Sequence, residues 1–138
     1  MSTSFDWPDE FRRTPDGERT AYPHGFQVSR EQAFQNIIEE VRKFDDLRGF
    51  KIETAATHQS DSPQIPTQTS DPEDPGVVLY WNRSGEAFAA PCDRWQSLRD
   101  NAQAIYHYLK AKRGMERWGV ETVDSEFSTQ RLEKAALD

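Results

Sequence analysis

"VVLYWNRSGEAFAAPCDRW", residues 77–95, decides how this chain folds. Two apolar, β-rich runs flank Ser84-Gly85, the pattern of a hairpin closed by a two-residue turn. Side chains alternate faces along a strand, so the length of the turn sets which residues share a face. A two-residue turn pairs Arg83 with Glu86 and Trp81 with Phe88. It gathers Val77, Leu79, Trp81, Phe88, Ala90 and Cys92 on one apolar face. A three-residue loop would shift the pairing by one place and break that agreement. Cys92 therefore reads as a small buried hydrophobe and not as a nucleophile, since only Arg94 nearby in sequence would lower its pKa. Asp93 reads as the N-cap of the helix that follows, with Gln96 in the reciprocal position.

Downstream of the hairpin, Trp95, Leu98, Ala102, Ile105 and Leu109 recur at three- and four-residue steps, the stripe of a core-facing helix. Beyond Leu109 that stripe meets Lys112, Arg113 and Glu116 and ends. A second apolar set takes over on nearly the opposite side: Ala104, Tyr108, Ala111, Met115 and Trp118, with Gly119 as the stop. A helix that is apolar on two faces has to be covered on both or has to meet a partner. Tyr108, Ala111, Met115 and Trp118 are thus a candidate partner-binding stripe, open to an unknown protein or to a second copy in a homodimer. The other candidate cover is the N-terminal arm.

That arm, residues 1–28, is rich in Pro, aromatic and charged residues and has no clean period. Pro8, Pro15 and Pro23 interrupt any long helix. Phe5, Trp7, Phe11, Tyr22 and Phe26 are too much apolar surface for a free tail. The arm is expected to be ordered and to lie over the Met115–Trp118 end of the second helix. A first helix opens at Ser29, where Ser29 and Gln32 match a capping box and Val28 and Ala33 a hydrophobic staple. Ala33, Phe34, Ile37, Ile38, Val41 and Phe44 then share a face, and Gly49 marks the exit. "FKIETAA" alternates Phe50, Ile52 and Thr54 against Lys51 and Glu53, a strand with one buried face. The Pro-rich stretch 57–76 reads as a loop, long for a compact domain.

Composition narrows the function classes. The chain has 138 residues, enough for one domain that buries roughly 65–70% of its unfolded surface. Seventeen basic against 24 acidic residues give a net charge of −7, which disfavours non-specific nucleic-acid binding by the molecule as a whole. Arg outnumbers Lys twelve to five. This acidic, Lys-poor balance suits a salt-loving host, and it equally suits a GC-rich genome. One cysteine excludes an internal disulfide, and neither a membrane span nor a signal peptide is visible, so a cytoplasmic protein is expected.

The motifs of chemistry are missing. His24, His58 and His107 lie far apart without spaced co-ligands, so no metal site is expected. No phosphate loop, helical zinc motif or serine elbow occurs. "DPEDPG" lacks the ligand order of a calcium loop. No catalytic residue and no cofactor are therefore expected. One charge pattern remains: Arg99, Lys110, Arg113 and Arg117 fall on one edge of the second helix with Tyr106 between them, and Arg12, Arg13 and Arg19 are available to join them. A basic edge with an aromatic suits a phosphate backbone. Long cationic stems that flank a core stripe give the same pattern, and the net negative charge favours that reading.

"WPDEFRRTPDGER", "DPGVVLYWNRSGEAFAAPCDRW", "DNAQAIYHYLKAKRGMERWGV" and "SEFSTQ" together resemble a family of proteins from haloarchaea, their viruses and other mobile elements. The resemblance spans nearly the whole chain. Longer bacterial relatives carry a similar module ahead of a C-terminal J domain, and the family takes its J-domain label from them. This chain holds no His-Pro-Asp loop and stops where that domain would begin, so co-chaperone activity is not expected. The resemblance implies a mobile element in a halophile as context and supplies no site residues.

These readings converge on a small α+β fold in the order arm-α-β-β-β-α, a three-stranded antiparallel sheet packed with two main helices. The arm is expected over 1–28, the core domain over 29–123 and a C-terminal tail over 124–138. The expected function is that of a non-enzymatic interaction protein of a haloarchaeal virus, provirus or plasmid. The alternative is a nucleic-acid-associated factor that uses the edge of Arg99, Tyr106, Lys110, Arg113 and Arg117.

Overall fold

The computed structural model of the protein describes residues 7–23, 26–67 and 71–119. The expected tail, 124–138, and residues 1–6 (Phe5 among them), 24 and 25 of the arm lie outside them. Two helices, α1 (Arg30–Val41) and α2 (Leu98–Arg117), and three strands, β1 (Leu47–Thr54), β2 (Val77–Arg83) and β3 (Glu86–Cys92), follow the expected order. The strands form one antiparallel sheet in the order β1-β2-β3. The fold is a small α+β domain.

The hairpin register is the one that the two-residue turn dictates, with Arg83 opposite Glu86, Trp81 opposite Phe88 and Val77 opposite Cys92. Ser84 and Gly85 both take positive φ, 53° and 81°. This pairing of signs is the primed turn whose twist matches the strands it joins. Ser84 is a strained choice there, because a non-glycine residue without an amide is costly in the left-handed region. Ser84→Asn is therefore expected to raise stability by a few tenths of a kcal/mol up to about 1, and Gly85→Ala to lower it by about 1. A Cβ on Gly85 meets nothing within 4 Å, so the loss would come from the backbone alone. Thermal melts of both variants check the pair, and opposite signs are required.

Both helices pack on one face of the sheet. Phe34, Ile37, Trp81, Leu79, Leu98, Ile105 and Leu109 form the centre of this core. α1 starts where the capping box places it, with Ser29 Oγ accepting from Gln32 N at 3.1 Å. It ends at Val41, so Phe44 reaches the core from the following turn. Gly49 is not the exit from this helix. It lies inside β1 at φ 59°, where the register with β2 shifts between Arg48 and Phe50, and so forms a bulge.

The arm is placed differently from expectation. Trp7 and Phe11 pack with Val78, Tyr80 and Ala89 on the second face of the sheet, away from the Met115–Trp118 end of α2. A Cβ on Gly76 would meet the Trp7 ring at 3.1 Å, so the arm's close approach depends on that glycine. From there the chain turns round the end of β3. It forms a parallel bridge between Thr20 and Trp95, in which Gln96 N donates to Thr20 O at 3.0 Å. The signal was present in the hairpin itself: Val78, Tyr80, Ala87 and Ala89 alternate with the first apolar set, and a strand apolar on both faces is covered on both.

The long loop has a structural task. Gln59 N donates to Ile65 O and Thr67 N to Thr57 O, both at 2.8 Å, while Ile65 enters the core. Gln64 then acts as a substitute strand against the open edge of β1. Its Oε1 accepts from Ile52 N at 2.6 Å, and its Nε2 donates to Phe50 O at 3.1 Å. A side-chain amide so placed blunts an edge that would otherwise pair with another chain.

Candidate functional site

The candidate surface is α2 and the corner that leads into it. Asp93 is not the cap of this helix. Ser97 is the N-cap, its Oγ accepting from Asp100 N at 3.1 Å, so five residues, Asp93–Ser97, turn the corner between β3 and α2. Ser97 with an acid three residues on was an equally good cap signal in the sequence. Gln96 makes no capping contact of its own; its Nε2 donates to Arg19 O at 3.0 Å.

Asp93 instead anchors the arm. Its Oδ2 accepts from Arg13 Nε at 2.8 Å, Thr14 N at 3.0 Å and Arg19 Nη2 at 3.1 Å. Arg13 Nη2 also donates to Asp74 at 2.6 Å. Burial opposes ionisation of Asp93, yet the hydrogen bonds from Arg13, Thr14 and Arg19 together hold its carboxyl below the usual range. Arg13 and Arg19 are thus committed to a carboxylate and do not extend the basic edge of α2.

The corner also fixes Cys92. Its Sγ lies 3.3 Å from Asn101 Oδ1, and burial pushes the thiol up to about 11. A thiol so placed is almost wholly protonated at neutral pH and is a poor nucleophile. Native protein is expected to react with iodoacetamide at pH 8 at least tenfold more slowly than protein unfolded in denaturant, because thiolate fraction and access both fall. Equal rates would restore Cys92 as a reactive site.

The expected partner stripe is divided by the fold. Tyr108 is half-buried against the core, and burial, then Glu116, pushes its hydroxyl up. Met115 is half-buried, Ala111 is exposed, and Trp118 is 75% exposed. The end of the helix is held firmly. Arg83 on the hairpin donates to both carboxylate oxygens of Glu116 at 2.6 Å and to Asp46 at 2.9 Å. The hydrogen bonds from Arg83 depress the Glu116 carboxyl. Gly119, at φ 76°, then ends the helix.

The expected basic edge is divided too. Arg113 pairs with Glu40 of α1, a carboxylate only 1% exposed, and is a link between the helices. Arg99 Nε lies 3.2 Å from Asp100. Lys110 sits over the Tyr106 ring at 5.9 Å and Arg117 over the Trp118 ring at 5.3 Å. Beside this edge lies a run of rings that spacing alone did not reveal. Tyr22 meets Trp95 edge-on at 4.9 Å and stacks on Phe26 at 4.2 Å. Phe26 stacks on His107 at 5.5 Å, and His107 lies 5.0 Å from Tyr106.

No arrangement for bond chemistry accompanies these surfaces among the described residues. A hydroxyl–imidazole contact, Thr54 Oγ1 to His58 Nε2 at 2.8 Å, closes the long loop. Pro63 O lies 2.7 Å from His58 Nδ1 and can only accept, so Nδ1 donates to it and Nε2 is left to accept a hydrogen bond from the Thr54 hydroxyl. Thr54 is itself buried and accepts from Ala56 N. Among the described residues no three His, Cys, Asp or Glu side chains are grouped to hold a metal ion. An open depression of about 490 Å³ on α1 is lined by the polar and charged residues Ser29, Glu31, Gln32, Gln35 and Glu39. Among these residues no helix is long and apolar enough to cross a membrane. No family model matches the chain, and neither a curated protein nor a solved structure shows significant similarity to it.

Proposed function

We propose that this chain is a non-enzymatic interaction module that docks a protein partner through the end of α2. The observation that carries this reading is Trp118, which stands 75% exposed on a helix end braced by Arg83 and Glu116. Trp is the residue type most enriched where binding energy concentrates, and a rigid support lowers the entropy lost on binding. Ala111 and Met115 extend the apolar contact along the same side of the helix. The resemblance to proteins of haloarchaeal viruses and plasmids supplies the setting: an accessory protein in the cytoplasm of a salt-loving host. At high salt an apolar contact keeps its strength while exposed charge pairs are screened.

The test compares the intact chain with Trp118→Ala in pull-downs from the native host at its working salt, together with light scattering of each purified protein. Trp118 is exposed, so the variant is expected to melt with the parent. A stoichiometric protein held by the parent and lost at least tenfold by the variant supports the reading. Loss of a dimer in the variant would make a second copy the occupant. If the variant keeps the same partner and the same oligomeric state, Trp118 is not the contact.

A further inference from the structure

We infer that the corner before α2 and the run of rings beside it form a binding site for single-stranded nucleic acid, separate from the Trp118 end. The inference starts from how the cations of this acidic chain are distributed. Arg13, Arg19, Arg30, Arg83, Arg99 and Arg113 each hold a carboxylate. Arg12, Arg42, Arg94, Lys110 and Arg117 do not among the described residues. Of these, Arg94 and Lys110 lie over rings of one connected surface, Arg94 at 5.0 Å from Trp95 and Lys110 at 5.9 Å from Tyr106, while Arg117 lies over Trp118 at the far end of α2. Arg94 and Lys110 are both exposed. In a protein with 24 acids to 17 bases, a carboxylate partner is the common fate of a cation. Two cations left on rings at the two ends of one surface are a local positive field in a negative molecule.

Between them runs the connected series Trp95, Tyr22, Phe26, His107, every neighbouring pair within 5.5 Å. His107 is exposed and the other three residues are half-buried. Phe26 is stacked on both Tyr22 and His107, so the end rings, Trp95 and His107, are the ones placed to take a base. Two acids of the corner are turned inward, while Asp16, on the far side of Arg19, faces solvent and is held by that arginine. Asp93 is gripped by Arg13 and Arg19, and Asp100 sits buried at the start of α2. Rings interleaved with cations are the means by which proteins hold unpaired strands, with bases stacked on the rings and phosphates met by the cations. A duplex keeps its base faces stacked inside and gains only the charge contacts. The arm supplies Tyr22 and Phe26, so the site exists only once the arm has wrapped the end of β3.

The experiment is fluorescence anisotropy of a labelled oligothymidylate of about 12 nucleotides, within the roughly 4–16 that such sites cover. Binding is expected at about 50 mM salt, weakening with a log–log slope of about −1.4, or 0.7 for each of two cations. Arg94→Glu with Lys110→Glu is expected to weaken it at least tenfold; both side chains are exposed, and an unchanged melting temperature shows that the fold is kept. Trp118→Ala is expected to bind the oligonucleotide as the parent does, which separates this site from the protein contact. Absence of binding at about 50 mM salt, an undiminished affinity in the double variant, or equal affinity for a duplex of the same length would each overturn the inference.

Discussion

Asp93→Ala is expected to cost about 3–5 kcal/mol, the usual penalty for removing one partner from a buried ion pair. In a domain of this size that is a fall of about 10–17 °C in Tm. Asp93 is 4% exposed and accepts from Arg13, Arg19 and the Thr14 amide through one oxygen. Its removal leaves Arg19, whose side chain is 9% exposed, with only the solvent-facing Asp16 as a carboxylate. It also releases the segment that carries Trp7 and Phe11 onto the sheet, so Val78 and Tyr80 should become accessible to proteolysis of the arm and to dye binding. Asp16→Ala, at the exposed end of the same network, should melt with the parent. The pH dependence has a definite sign. The folded carboxyl lies below its unfolded range near 3.9, so its contribution is full above that value and is lost as pH falls through the folded pKa. The gap between the parent and Asp93→Asn should therefore narrow as pH drops below about 4. A melting temperature within two or so degrees of the parent at neutral pH would mean that the arm is held elsewhere.

Asn101→Ala is expected to cost about 3 kcal/mol or more through groups that it leaves without partners. Asn101 is fully buried at 0% exposure. Its Oδ1 accepts from Trp95 N at 2.9 Å, and its Nδ2 donates to Pro75 O at 2.8 Å and Trp95 O at 3.0 Å. One amide thus satisfies three backbone groups at the point where β3, the long loop and α2 meet. Each buried orphan costs roughly 1–3 kcal/mol, and the space left by the amide offers partial relief only if water enters. Asn101→Asp is the sharper variant. It keeps the acceptor for Trp95 N but loses both donors and brings a charge into the core, so it should be no more stable than Asn101→Ala. A mild effect for both would show that the corner tolerates water.

Much of the architecture was legible, and the reason differs by element. The hairpin was readable because a two-residue turn and the alternation of Val77, Leu79 and Trp81 against Phe88, Ala90 and Cys92 have one consistent register. α1 was readable because Ser29, Gln32 and the Ala33–Val41 stripe are local signals within one or two turns. Gly49 was misread because a helix exit and a β-bulge both call for positive φ, and only the pairing of β1 with β2 distinguishes them. The cap of α2 was misread for a related reason: Asp93–Gln96 and Ser97–Asp100 are both sound cap sequences, and the arm's arginines took the first acid.

The sequence by itself determined what depends on neighbours a few residues apart: strand period, turn type, helix face, and the face of the sheet on which the half-buried Cys92 lies. The tertiary structure alone decided which charge meets which. Arg113 and Arg117 share an edge of α2, yet Arg113 is tied to buried Glu40 and Arg117 lies over the exposed Trp118. Arg13 and Arg19 looked like additions to that edge and became the clamp on Asp93, about 80 and 74 positions away in the chain. A cation can pair with any of the 24 acids at similar energy, so its partner is set by which backbone segments the core brings together. The run of rings from Trp95 to His107 arises in the same way: Tyr22 reaches Trp95 and Phe26 reaches His107 of α2 from an arm that Asp93 holds round the end of the sheet.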